Sequence, residues 1–238
     1  MNTIALIIAG GSGQRMGQDI PKQFINVEDK PVIIFTLEAF QNHANIDSIA
    51  VVCIDGWEQV LWAYAKQFNI TKLQYVVHGG KNGQDSIRNG LFELEKHFKK
   101  DSIVLIHDAI RPNVSQEIIS DCIVKVEQYG NAIACIPCAE AMLETEDGIV
   151  SKGSYPRDKL KRTQTPQGFV LGDICQLHRD ALKAGITNSV ASCTLMVEMG
   201  KQVYFSAGSE KNLKLTTVED IDIFKALLAS HRSKWLKS

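Results

Sequence analysis

Residues 7–24 read IIAGGSGQRMGQDIPKQF, an apolar run followed by four glycines, with Arg15 and Lys22 among them and after them. Glycines let backbone N–H groups turn toward an anion with no side chain in the way. Arg15 offers a planar fork for phosphate oxygens, and Lys22 a mobile point charge. The dinucleotide fingerprint GxGxxG needs glycine at position 16, where this chain has Met16. That argues against a nicotinamide-dependent dehydrogenase. No Gly-Lys-Ser/Thr ending follows, so an ATP-type P-loop is also out. What remains is a first strand leading into a Gly-rich turn. The turn is either a phosphate loop or a solvated bend, and the added Arg and Lys favour the phosphate loop.

Outward from this loop, short β-rich apolar runs alternate with amphipathic stretches. Strands are expected at Thr3–Ala9, Ser48–Ile54, Leu73–Val77, Ser102–His107, Ala132–Pro137 and Gln202–Ser206. Helices are expected at Ile33–Gln41, Glu58–Phe68, Gln84–Phe98, Ser115–Tyr129 and Gly172–Ala184. This order predicts an α/β fold with a mostly parallel sheet and helices on both faces. No linker or repeat divides the chain, so residues 1–238 are read as one domain. The polar segment at about 139–165 breaks the alternation. Its Glu-Asp-Gly turn signal, flanked by Leu143 and Ile149–Val150, predicts a protruding β-hairpin arm suited to dimer contact.

Bulk properties set limits on function. Net charge is −1 over 238 residues, so nothing global points to nucleic acid or an anionic membrane, and a phosphate site must be a local concentration of cations. No apolar run is long enough to span a bilayer, and the leading MNTIALIIAGG lacks the basic start of a signal peptide. The six cysteines are scattered through apolar segments. Cys135 and Cys138 have CxxC spacing, but no helix start or second pair accompanies them, and reduced cytoplasmic thiols are the simpler reading.

Three further clusters could carry chemistry. His107-Asp108-Ala109-Ile110-Arg111-Pro112 follows an apolar strand, where open parallel sheets place ligands. Asp108 there could hold Mg²⁺ against a polyphosphate, and Arg111 could pair with Asp108 or with a ligand. The loop His78–Ser86 places flexible backbone and a hydroxyl near a helix start. Asn212-Leu213-Lys214-Leu215-Thr216-Thr217 brings another cation from far along the chain.

In this order the motifs AGGSGQRMG (9–17), PKQF (21–24), GG…DS (79–86), HDAIRP (107–112), TPQGF (165–169) and NLKLTT (212–217) resemble one family. It is that of the cytidylyltransferases that make CDP-methylerythritol or CDP-ribitol. The resemblance covers nearly the whole chain. It implies a Rossmann-like domain whose arm builds a homodimer, and Mg²⁺-dependent attack of a substrate phosphate on the α-phosphate of CTP. Such displacement needs positioning and charge neutralisation more than covalent help. Carried over by motif, Arg15, Lys22 and Lys214 would stabilise the reacting phosphates. Ala9, Gly10, Gly11 and Ser12 would hold the triphosphate, and Gly80, Ser86 and Ala109 the cytidine. Asp108 would lie beside the metal. Arg111, Glu140 and Arg157 would serve the acceptor, a polyol phosphate, with Arg157 reaching in from the partner subunit.

The departures from the family pattern fall mostly on the acceptor side. Gly83 stands where arginine is common, Glu140-Ala141 replaces an Asp-Thr pair, Val190-Ala191 replaces Thr-Asp, and Lys211 replaces an acidic residue. Losing a hydrogen-bonding group can shift specificity substantially, so methylerythritol phosphate and ribitol phosphate both stay open. The competing reading is a catalytically impaired nucleotide-binding member of the same fold, motivated by Gly83, Ala141 and Ala191.

Overall fold

The computed structural model describes residues 1–11 and 20–235, with side chains to residue 230. Ser12 and Arg15, the centre of the expected phosphate loop, lie outside the described residues.

The first strand, β1 (Thr3–Ala9), is buried almost throughout. Its side chains alternate between two layers, Ala5, Ile7 and Ala9 on one face and Ile4 and Leu6 on the other. A strand that must be apolar on both faces belongs in the middle of a covered sheet. It pairs in parallel with β4 (Ser48–Cys53) on one side and β6 (Ile103–Asp108) on the other. The seven-stranded sheet has the order β11-β7-β10-β6-β1-β4-β5. Here β5 is Leu73–His78, β7 Asn131–Pro137, β10 Lys161–Val170 and β11 Phe205–Ala207. Only β10 runs against its neighbours β6 and β7.

Helices cover both faces, as the alternation predicts. On one side Leu37 of α1 (Val32–Gln41), Leu61 of α2 (Glu58–Gln67) and Ile118 of α4 (Gln116–Tyr129) share a core. On the other, Leu91 of α3 (Gly83–His97), Ile174 of α5 (Leu171–Lys183) and Leu195 of α6 (Ser192–Glu198) share a second. Local signals set the ends. Asn82 Oδ1 accepts the Asp85 N–H at 2.8 Å and starts α3, an N-cap. Gly130, at φ +82°, stops α4 in the left-handed conformation that glycine adopts without strain.

Two strands of the main sheet differ from expectation, and the arm matches it. The strand expected at 202–206 begins at Phe205, because Asn131 Oδ1 takes the Tyr204 N–H at 3.0 Å before the ladder starts. The end of the polar segment joins the main sheet: β10 was not expected, since KRTQTPQGFV is polar and carries proline. It is accommodated because the ladder to β7 shifts register between Thr163 and Gln167, and such bulges commonly re-aim side chains near sites. The arm itself is the hairpin β8 (Met142–Glu144) and β9 (Gly153–Tyr155). Asp147 Oδ1 closes its turn by accepting the Ile149 and Val150 N–H groups at 2.8 and 3.0 Å.

A third, smaller core joins Val27 of β2 (Asn26–Val27), Val32 and Ile110 to Leu215 and to Phe224 of the last helix, α7 (Val218–Trp235). A two-residue strand, β3 (Lys30–Pro31), pairs with β2. This core pins the segment around Lys214 to the loop after β6. Among the described residues no helix is long and apolar enough to cross a membrane.

Candidate active site

From β1 the chain moves to β4 and β5, then returns to the other side of β1 as β6. The carboxyl ends of β1 and β6 therefore flank a point where the winding reverses, the place where open α/β sheets leave a crevice for ligands. A cavity of about 680 Å³ lies there.

Of the residues expected in the site, Ala9, Gly10, Gly11, Lys22, Gly80, Ser86, Asp108, Ala109, Arg111 and Lys214 all line this cavity. Glu140 and Arg157 do not. Glu140 lies 3.8 Å from Arg162, and Arg157 donates to the Ala139 carbonyl at 2.8 Å at the base of the arm. Val190 and Ala191, two of the departures, also reach the cavity wall.

The start of the Gly-rich stretch, as far as Gly11, is held by the motif that follows it. Gln23 is buried, and its amide donates to the Ala9 carbonyl at 2.7 Å and the Gly11 carbonyl at 3.1 Å. Phe24 stacks on Trp57 with ring centroids 4.6 Å apart. Together they fix a 3-10 turn, Lys22–Phe24, and place Lys22 on the cavity wall. Beside Gly10 the Gly80 N–H donates to Ser86 Oγ at 2.9 Å, and that hydroxyl donates to the Asn82 carbonyl at 2.9 Å. A Cβ on residue 80 would lie 2.4 Å from Asp85 Cβ, so only glycine lets the loop fold this tightly over the helix start.

The charged centre is Asp108. Arg111 Nε donates to Oδ2 at 3.0 Å, and Lys214 Nζ lies 3.1 Å from both carboxylate oxygens. Burial pushes the carboxyl pKa up, but Lys214 and then Arg111 outweigh it, and the net shift is downward. Asp108 therefore stays ionised. Among the described residues, one carboxylate with Arg111 and Lys214 leaves this wall net positive, although the whole chain carries −1. Behind it, His107 is fully buried. Its Nε2 lies 3.2 Å from the Arg111 carbonyl, which can only accept, so Nε2 carries the proton. Nδ1 then accepts from the Thr165 hydroxyl at 3.0 Å, and Thr165 Oγ1 accepts the Asp108 N–H at 3.1 Å. Burial pushes the His107 pKa down to about 4, so the ring is neutral and serves to hold the loop.

Gln23, His107, Gln164, Thr165 and Asn212 shape the site, yet sequence reasoning assigned them no role. Four of them lie inside the quoted motifs, where their neighbours Lys22, Asp108 and Lys214 drew the attention. Gln164 carried no local signal.

A family model described as IspD, 2-C-methyl-D-erythritol 4-phosphate cytidylyltransferase, matches residues 3–230. This chain belongs to that family. It is a cytidylyltransferase, a CTP-dependent nucleotidyltransferase. It is 42% identical to a ribitol-5-phosphate cytidylyltransferase of Lacticaseibacillus paracasei over 94% of this chain and 97% of the relative. It is 37% identical to a 2-C-methyl-D-erythritol 4-phosphate cytidylyltransferase of Clostridium botulinum over 94% and 96%. The crystal structure of 4-diphosphocytidyl-2C-methyl-D-erythritol synthase from Anaerococcus prevotii superposes with TM-score 0.81, at 26% identity, covering 96% of both chains. These cytidylyltransferase relatives bear out the resemblance in the sequence, and none favours the impaired alternative.

Asp55, Glu58 and His78 form a group of side chains that could hold a metal, but none of them lines the cavity. Asp108 fits a Mg²⁺ role differently. It is one carboxylate at the cavity wall, and magnesium is commonly held by one or two carboxylates with substrate phosphates supplying the rest.

Proposed function

We propose that this enzyme transfers CMP from CTP to ribitol 5-phosphate, with 2-C-methyl-D-erythritol 4-phosphate as the second reading. The observation that carries the choice of acceptor is identity, which reaches 42 and 41% with two ribitol-5-phosphate enzymes, though 37% with others, against 37% with the methylerythritol one over nearly equal spans. The acceptor's phosphate oxygen attacks the α-phosphorus of CTP. A new P–O bond forms, the bond to the β-phosphate bridging oxygen breaks, and pyrophosphate leaves with that electron pair.

The chain's own contribution is charge and position. Lys22 faces the phosphates from the 3-10 turn after the Gly-rich stretch and Lys214 from the opposite end of the chain, where each can neutralise charge that grows in the transition state. Arg15 and Ser12 are assigned to the same task by motif. Gly80, Ser86 and Ala109 border the end of the cavity proposed for cytidine. Asp108 would hold Mg²⁺, which supplies a Lewis acid to the phosphates.

The arm is proposed to build a homodimer, which would bring Arg157 and Glu140 to the partner's acceptor pocket. Exposed Leu143, Ile149 and Val150 support this, since they leave apolar surface on the hairpin uncovered. All six cysteines are free, in keeping with a cytoplasmic enzyme. The test is pyrophosphate release and product mass with CTP, Mg²⁺ and each polyol phosphate. A higher kcat/KM for ribitol 5-phosphate is expected; preference for the methylerythritol substrate would reverse the assignment, and no release with either would overturn the activity.

A further inference from the structure

We infer that Asn212 is a positioning residue for the transfer reaction, forming with Gln164 a buried amide clamp that sets Lys214 and Arg111 on Asp108. The inference rests on the cytidylyltransferase reading above and deepens it.

Asn212 is fully buried, and Gln164 nearly so. The Asn212 amide donates to the Thr165 carbonyl at 2.8 Å and to Gln164 Oε1 at 3.3 Å. Gln164 in turn grips the preceding turn at two points. Its Nε2 donates to the Ser209 carbonyl at 2.9 Å, and its Oε1 accepts the Ser209 N–H at 3.1 Å. Residues 209–212 are thus stitched onto β10 by two side-chain amides. At the other end, the Asn212 carbonyl accepts Arg111 Nη1 at 2.7 Å, and the Leu215 N–H donates to the Ile110 carbonyl at 2.9 Å. Lys214 lies between these two anchors, and its ammonium meets Asp108. Arg111 is shared, with Nε on Asp108 and Nη1 on the Asn212 carbonyl. It therefore serves the same geometry.

Stability alone is a poor account of the clamp. Among the described residues Asn212 Oδ1 is buried with no hydrogen-bond partner, and an unsatisfied buried acceptor carries an uncompensated desolvation cost. An apolar side chain would avoid that cost but would take the donor away from the Thr165 carbonyl and from Gln164. What the amide adds is direction, because its donor reaches the Thr165 carbonyl and Gln164 at once. Asn212 does not line the cavity, so its influence on the reaction runs through Lys214 and Arg111.

The experiment is a double-mutant cycle of Asn212→Ala and Lys214→Ala, read as pyrophosphate release and supported by melting curves showing that each variant is folded. Asn212→Ala is expected to lower kcat by about 10- to 100-fold, while KM for either substrate moves about threefold or less. In the Lys214→Ala background the same change should cost only about threefold, since residues acting as a unit are not additive. An equal loss in both backgrounds, or a kcat near that of the parent, overturns the inference. If Asn212→Ala does not fold, Gln164→Leu takes its place in the cycle with the same criteria.

A second measurement needs no turnover. Acylation of Lys214 by an amine reagent, followed by peptide mass spectrometry, should quicken severalfold in Asn212→Ala as the ammonium leaves Asp108. An unchanged rate overturns the clamp. If the parent enzyme released no pyrophosphate but labelling quickened as expected, the functional reading would fail and the clamp would stand.

Discussion

Lys214 Nζ lies 3.1 Å from both carboxylate oxygens of Asp108, across 106 residues of chain. The pair joins the end of β6 to the segment before α7, and so links the main sheet to the small third core. It also sets the charge of the cavity. Asp108 alone would repel a triphosphate, whereas Asp108 held by Lys214 and Arg111 presents a net cation.

Lys214→Ala should therefore lower kcat more than it raises KM for CTP. Removing a preorganised donor from a developing anion typically costs about 10²- to 10³-fold in kcat. Lys22→Ala should show a loss of the same order, with the fold intact by circular dichroism. Steady-state pyrophosphate release for each variant checks both, and an unchanged kcat in either would remove that lysine from the chemistry.

Gly80 is held against the start of α3 by its N–H bond to Ser86 Oγ, with no room for a side chain. In Gly80→Ala the new Cβ would sit 2.4 Å from Asp85 Cβ and 2.7 Å from the Asp85 carbonyl carbon, so the loop must move away from the start of α3. The Gly80–Ser86 hydrogen bond goes with it. KM for CTP should rise by about tenfold or more, the scale of the 1–3 kcal/mol that overpacking costs. Calorimetric titration with CTP checks this independently of turnover.

Three buried histidines with lowered pKa values make stability depend on pH, and the shift is large for two of them. Burial is the main cause that lowers the pKa values of His107 and His178 to about 4. In the unfolded chain each titrates at its ordinary value near 6.5. Between these values the unfolded chain binds more protons, so stability is complete above 6.5 and falls as pH drops toward 4. At pH 5 the loss is about 2 kcal/mol for each ring. Neither ring nitrogen of His178 has a hydrogen-bond partner among the described residues. His178→Leu should therefore raise the urea midpoint at pH 7 and flatten its dependence between pH 5 and 7. A lower midpoint at pH 7 would mean that the imidazole is satisfied in solution.

Much of this site was legible in the sequence because its charged residues follow apolar strands. Asp108 ends β6 and Gly10 follows β1, so strand periodicity alone delivered both to one edge of the sheet. β10 was hidden because its bulge and proline break the alternation that marks a strand. The roles of Gln164 and Asn212 were hidden for a different reason. Their partners are one another and Ser209, Thr165 and Arg111, and contacts across 45 or more residues leave no local pattern. Glu140 and Arg157 were assigned by motif to a pocket that they do not reach within one chain, which makes them a test of the dimer.

That test is complementation between two impaired chains, assayed at a polyol phosphate concentration too low for the Arg157→Ala dimer to turn over. If each pocket takes Lys22 from its own chain and Arg157 from the partner, Arg157→Ala should raise KM for the polyol phosphate and leave KM for CTP unchanged. In a mixed dimer of Lys22→Ala and Arg157→Ala chains, one pocket carries both lesions and the other carries neither. Random reassociation of equal amounts makes half the dimers mixed, so activity should recover to about a quarter of the parent's in a symmetric two-fold assembly. Reassociation after mild denaturation, followed by pyrophosphate release, checks this. If Arg157 served its own chain's pocket, every pocket in the mixture would keep one lesion and no activity would return.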